Sequence, residues 1–391
     1  MKLNKIEDIT LLIPTKNRTI FLKRVLTYYK KINFLGTLAI GDSSTGDFLN
    51  ENKKIYESMK EFINITYQIF PDKNLCQTSH ELLKTVKTNF VAEVHDDNFI
   101  VPNSIKKCIE FLNENSDYSA ASGLGVSIKT KNDEPYGKLI KCVKKKQPSS
   151  DLDTACSRFI SLYGNYSDIH YAIHRTEIYR EVLKNSHIKD NNFFHIMTTA
   201  NTFILGKVKE LDTLHVIRHI QSPEGRKVFN KNHPESTNTY WWITGEEWNT
   251  NLEVLQKTVV KNLIKIDNIS TEEAQKTYEL SFFMYFSMYF ANKTKGIKEL
   301  KSFYDRYYSL ALFPLWASIN DNKLLKLTVY AYPRLKYIVG KFQYKIFGGE
   351  ILKSKALNNR TDSLLPSLLN KKSKYHSNFI PIYELITSTK L

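Results

Sequence analysis

The first hundred residues alternate between short apolar runs and longer amphipathic stretches. Ile9 to Ile13 form an apolar run that ends at Pro14 and the polar turn Thr15–Arg18. Its length, its β-branched content and the turn behind it predict a strand. The next stretch sets Phe21, Leu22, Val25, Leu26 and Tyr29 at helical spacing. The same reading predicts a strand over 37–42, a helix over 45–63, a strand over 64–70, a helix over 79–87 and a fourth strand from Phe90 to Val94. A further helix follows from 101, with Asn103 as its candidate N-cap. This β-α-β-α-β-α-β series predicts an α/β fold, a mostly parallel sheet covered on both faces. Ligands of such sheets sit outside the carboxyl ends of the strands. Thr15–Arg18, Asp42 and Asp96–Asn98 all fall at those ends.

The pattern then loosens. Residues 129–151 are rich in lysine, including Lys144–Lys146, and predict an exposed loop. Residues 163–184 are polar and aromatic and run into a helix. Residues 191–208 predict a helix closed by Gly206, and 209–219 an extended segment. The first domain is expected to end near 225, leaving 226–391 as a helical, basic, aromatic-rich C-terminal region. Past residue 320 there are thirteen Lys and Arg against four Asp and Glu, so this tail carries about nine of the sixteen net positive charges.

Composition adds little to the fold and something to the partners. Of the 391 residues 42% are hydrophobic and 25% charged, as in ordinary folded domains. A net charge of +16 favours anionic partners. Cys76, Cys108, Cys142 and Cys156 match no zinc spacing, which suits reduced thiols in a cytoplasmic protein. No leader-like or membrane-spanning apolar run is present. His170 and His174 are four apart but lack the glutamate of the zinc-protease motif. No nucleic-acid-binding module is recognisable, so no nucleic-acid partner is expected.

The chemistry concentrates at "FVAEVHDDNFIVP", residues 90–102, where adjacent Asp96 and Asp97 end an apolar strand. Two like charges there repel unless a cation joins them. On two letters alone an Asp-rich turn is the blander explanation. With "ITLLIPTKNRTIFLKRVLTYY" and "LAIGDSS" at the same sheet edge, the segment resembles the donor site of family-2-type glycosyltransferases of the GT-A (Rossmann-like) fold. "HYAIHRTEIYREVL" and "FILGKVKELDTLHVIRH" resemble the acceptor-side half of bacterial members. The likeness spans about residues 7–225.

The resemblance implies a nucleotide-diphospho-sugar transferase acting, with inversion, on a hydroxyl of a glycan or lipid-linked saccharide in bacterial surface polysaccharide synthesis. Pro14, Thr15, Asn17, Arg18, Asp42 and Asp96 would face the donor nucleotide, Asp97 and Asn98 a Mg²⁺ or Mn²⁺ ion, and Arg218 and His219 the diphosphate. The family's acidic pair on the acceptor helix falls here on Phe194 and His195, so His195, or Asp190 nearby, becomes the candidate general base. Asn98 replaces a third acid and weakens the metal expectation. The basic tail suits docking on the anionic inner face of a cytoplasmic membrane. A nucleotidyltransferase of the same fold would want a glycine-rich loop that "PTKNRTIF" lacks. A non-catalytic, membrane-associated assembly protein retaining the fold is the other alternative.

Overall fold

The computed structural model describes residues 7–131, 134–145, 147–164, 166–184, 188, 190–220, 245–293 and 363–388. Its opening follows the expected series: β1 (Ile9–Thr15), α1 (Thr19–Lys31), β2 (Thr37–Asp42), α2 (Gly46–Met59), β3 (Ile65–Ile69), α3 (Leu75–Thr85), β4 (Phe90–Glu93). These strands pair in parallel in the order β3-β2-β1-β4, with Thr15 opposite Asp42 and Leu12 opposite Glu93. Every residue of β1 is buried, as a strand covered on both faces requires. Helix α3 starts four residues earlier than expected. Asn74 caps it and Gln77 reaches back to the Asn74 N–H, a reciprocal box that satisfies two orphan donors.

The rest of the sheet is mixed. It continues with β5 (Phe99–Ile100), α4 (Pro102–Glu114), β6 (Tyr118–Thr130), β7 (Leu139–Lys145), α5 (Ala155–Gly164), β8 (Ile173–Arg175), α6 (Thr176–Leu183), α7 (Asn191–Leu205) and β9 (Lys207–His219). Strand β8 runs antiparallel between β4 and β6, and β6 pairs in parallel with β9. The expected exposed loop is in part strand: Lys144 and Lys145 lie in β7, paired antiparallel to Val126 and Gly125. Asn103 is not a cap. Val101 holds that position, with Pro102 in the first turn, where its missing N–H costs nothing. Gly206 does end α7, but for want of space. A Cβ there would stand 2.7 Å from the Ser119 nitrogen.

Among the described residues four more helices follow: α8 (Trp248–Asp267), α9 (Thr271–Lys293), α10 (Leu365–Leu369) and α11 (His376–Thr387). The chain divides into two compact units, Met1–Tyr278 with Ser363–Leu391, and Glu279–Asp362. The expected boundary near 225 and most of the basic tail lie outside the described residues. In the first unit, Phe379, Ile382 and Ile386 of α11 join the core formed by β1, β2 and α1. No described helix is long and apolar enough to cross a membrane.

Candidate functional site

Three loops meet at the carboxyl edge of β1, β2 and β4. Asn17 stands in the left-handed region at φ 55°, which Asn tolerates. Its backbone N–H donates to Ser44 Oγ (2.7 Å), and its Oδ1 accepts from the Thr45 N–H (3.0 Å). That clamp fixes Arg18, at the start of α1, over the β4 loop. Arg18 Nη2 donates to Asp97 Oδ2 (2.8 Å), and Nη1 lies 2.9 Å from Asp96 Oδ1. Thr15 Oγ1 donates to Asp96 Oδ2 (2.8 Å). Arg18, 19% exposed at its side chain, therefore joins two carboxylates that are 3% and 13% exposed.

The electrostatics follow from burial and proximity. Burial raises the Asp96 carboxyl, against the pull of Arg18. Burial acts on Asp97 too, but the Arg18 charge, with help from His95, outweighs it and holds Asp97 at about 2. Arg18 is lowered by burial and raised more by the two carboxylates, so it stays firmly protonated. Beneath it Arg24 is fully buried in the apolar stripe of α1. Burial brings it down to about 10, still charged at neutral pH. Its guanidinium donates to the Asp97 backbone oxygen (2.8 Å), pairs with His219 Nδ1 (3.1 Å) and reaches the Pro135 carbonyl.

Several of the expected site residues have partners within the fold. Asp42 has no exposed surface. Its oxygens accept from the Ser44 N–H (2.8 Å), Asn52 Nδ2 (2.9 Å) and Tyr67 Oη (2.5 Å). Pro14 is buried within β1. Asn98 is 3% exposed. Its Oδ1 accepts the His219 N–H (2.9 Å) and its Nδ2 donates to Tyr171 Oη (2.9 Å), which occupies the oxygen a metal would need. His219 is buried with both ring nitrogens engaged, by Arg24 and by Thr130 Oγ1 (3.2 Å). Asp190 caps α7, accepting from the Phe193 N–H (2.7 Å). Of the expected site residues, Thr15, Arg18, Asp96 and Asp97 meet one another through their side chains, and Asn98 meets His219.

The Mg²⁺ or Mn²⁺ expected here wants several oxygens at once. Arg18 and Thr15 hold Asp96, Arg18 holds Asp97 Oδ2, and Asn98 Oδ1 is spent on His219. Among the described residues no group of three or more His, Cys, Asp or Glu side chains is arranged to hold a metal ion. The donor set does not fit a divalent cation.

On the other side of the loop lies an imidazole cluster. His195 Nδ1 is 3.2 Å from His170 Nδ1, and their ring centroids are 3.7 Å apart. His95 stands 6.4 Å from His195, centroid to centroid. Its Nε2 pairs with the fully buried Glu93 (3.0 Å), and its Nδ1 meets Tyr171 Oη at 3.3 Å. Burial lowers His95, but the Glu93 hydrogen bond and charge more than offset it, so it is raised. Burial, reinforced by the neighbouring His95, lowers His195 to about 4, leaving it a neutral imidazole at pH 7. His170, buried beside His195, is lowered as well. Arg218 stands 5.3 Å over the Tyr171 ring and 3.9 Å from Asp168, whose carboxylate Lys145 also holds at 2.8 Å. Sequence reading overlooked Glu93, Arg24 and Tyr171. The signal for the first two was a charge inside an apolar pattern, Glu93 within the β4 run and Arg24 within the α1 stripe.

No family model matches the chain, and no curated protein does. Solved structures do resemble it. S. aureus TarS 1-349 is 16% identical, with a TM-score of 0.44 over 74% of this chain and 75% of that one. Its complex with UDP-GlcNAc is 13% identical, with a TM-score of 0.38 over 74% and 92%. Its complex with UDP is 17% identical, with a TM-score of 0.37 over 72% and 80%. These are partial likenesses in shape.

Proposed function

We propose that the chain transfers a sugar from a nucleotide-diphospho-sugar to a hydroxyl of an acceptor glycan. One observation carries the reading. The Thr15–Arg18 turn and the Asp96–Asp97 pair meet at the carboxyl edge of a parallel sheet, and a hydrogen-bonded chain, Asn98–Tyr171–His95–Glu93, runs from there to the edge of the imidazole cluster. Such an edge is where nucleotides bind in α/β sheets. The imidazoles supply the proton acceptor that a hydroxyl nucleophile needs.

In this reading His195 is the general base. We assign His195 the Nδ1–H tautomer, donating to His170 Nδ1 (3.2 Å), which leaves Nε2 unprotonated to take the acceptor's proton. The acceptor oxygen bonds to the anomeric carbon as the diphosphate leaves with the bonding pair, a single displacement that inverts configuration. Arg218, held between Asp168 and the Tyr171 ring, would face the charge that grows on the leaving group. The metal assistance implied by the resemblance supplies no step here. The acceptor class, a glycan or lipid-linked saccharide of a bacterial surface, and a cytoplasmic site at the inner membrane face rest on that resemblance and on the basic tail.

The test is a panel of UDP-, GDP-, CMP- and dTDP-sugars, scored for binding and for slow donor hydrolysis by the purified chain. At least one donor should bind and turn over. If none binds or is hydrolysed, the transferase reading is wrong, and a non-catalytic role takes its place. The anomeric configuration of the first product, read by NMR, decides inversion.

A further inference from the structure

The two aspartates at the donor edge already have a cation. Arg18 spans them, 2.8 Å from Asp97 and 2.9 Å from Asp96, and the turn before it is held by the Asn17–Ser44–Thr45 clamp. Of the other oxygens, Asp96 Oδ2 is taken by Thr15 and Asn98 Oδ1 by the His219 N–H, so Asp97 Oδ1 alone stands outside these bonds, fewer oxygens than a divalent cation wants. Elsewhere around the loop the cations are protein side chains as well. Arg24 holds the Asp97 backbone oxygen, and Lys145 and Arg218 hold Asp168. A guanidinium is a fixed, always charged fork, so it neutralises adjacent carboxylates without recruiting anything from solution.

We propose that Arg18 takes the divalent-cation position of this site, and that the chain binds its nucleoside-diphosphate donor without a metal ion. The proposal rests on the donor site described above for its ligand, but its first test does not need the donor. Arg18 also has a consequence for specificity. With the carboxylates spent on Arg18, they cannot chelate a diphosphate through a shared ion. The donor's phosphates must then be met by N–H groups and by Arg218, on the acceptor side of the loop.

The experiment compares the full-length chain with Arg18→Met and Arg18→Lys by thermal shift, in EDTA and in MnCl₂ without nucleotide. The wild type and Arg18→Lys should melt at the same temperature in both. Arg18→Met leaves two buried carboxylates facing each other, so in EDTA its melting point should fall by on the order of 10 °C, and MnCl₂ should restore much of that loss. If Arg18→Met does not fold, Mn²⁺ binding to the wild type, followed by the loss of the free-ion EPR signal, decides alone. Stoichiometric Mn²⁺ binding to the wild type, or a wild-type melting point raised by MnCl₂, overturns the proposal. In a second arm, UDP, GDP and dTDP are titrated into wild type with and without EDTA. Equal affinity for the nucleotide that binds supports it, and a tenfold or greater loss in EDTA overturns it. If no nucleotide binds, the donor reading fails, while the metal arm still decides for or against Arg18.

Discussion

The two halves of the sheet reach the site by different routes. In the first half, β1 to β4 run in parallel and deliver their loops to one edge, so position in the sequence and position in space agree. In the second half, β8 and β7 share one side of β6 while β9 takes the other. His170 comes from the turn before β8 and His195 from the second turn of α7. The first half answers its buried charges with charges, Arg18 against Asp96 and Asp97. The second places neutral imidazoles against one another and lets burial keep them neutral. In the proposed transferase, donor binding and proton transfer rest on separate halves of the sheet and should fail separately.

The largest break should come from the second half. His195→Ala is expected to lower the transfer rate by ~10²–10⁴-fold while leaving donor affinity unchanged, which steady-state kinetics and calorimetry resolve. His170→Ala should follow it in kcat, with partial rescue by His170→Gln, whose amide oxygen accepts the same hydrogen bond. Equal rates in His195→Ala and wild type would remove the imidazole base.

The first half should break in stability before it breaks in rate. Asp96→Ala leaves Arg18 short of a buried partner and should cost about 3–5 kcal/mol in urea unfolding. Acid should attack the second half first. His174 and His215 are fully buried and lowered to about 4 by burial. The unfolded chain, with ordinary imidazoles near 6.5, then binds more protons between those values. Their contribution is present above pH ~6.5 and lost as pH falls toward 4, about 3 kcal/mol for each histidine. Asp97, held at about 2, gives way only below that window. A melting point flat from pH 7 to 4 would contradict the assignment.

Smaller effects separate packing from charge. A Cβ on Gly41 would meet Thr78 Cγ2 at 2.4 Å, because β2 runs tightly under α3. Gly41→Ala should therefore cost about 1–3 kcal/mol. Lys31→Ala removes an ion pair with Glu384 whose side chains are 49% and 57% exposed, and should move stability by no more than ~0.5 kcal/mol.

Legibility divides along the same line. The first four strands and their helices were readable because each is a short buried run flanked by turn residues. Strand β6, "YSAASGLGVSIKT", was not. It is buried on both faces, and its first eight residues, mostly small, neither alternate nor include a β-branched side chain; Val126, Ile128 and Thr130 come only at its end. Gly123 is there because a Cβ would meet the Thr213 oxygen at 2.5 Å, a fact about β9, far along the chain. Strand β7 was hidden by its lysines, Lys141, Lys144 and Lys145, which fall on both of its faces. At the site, residue types were readable and partners were not. Asp42, Asn98 and His219 are polar residues at the right places whose hydrogen bonds turn inward. Nothing in the sequence says which way an amide or a carboxylate faces.

Helix α11 has a consequence for how the chain is made. Phe379, Ile382 and Ile386 of α11 pack into the same core as β1 and α1, and the Gly137 N–H is bonded to the Ile386 oxygen at 2.7 Å. Strand β1 therefore leaves the ribosome long before the helix that closes its core. At about 5–20 residues per second, that wait is tens of seconds with an apolar face uncovered. A nascent chain of this protein should need chaperone cover until α11 has emerged, and deleting α11 should cost it solubility before it costs it any chemistry.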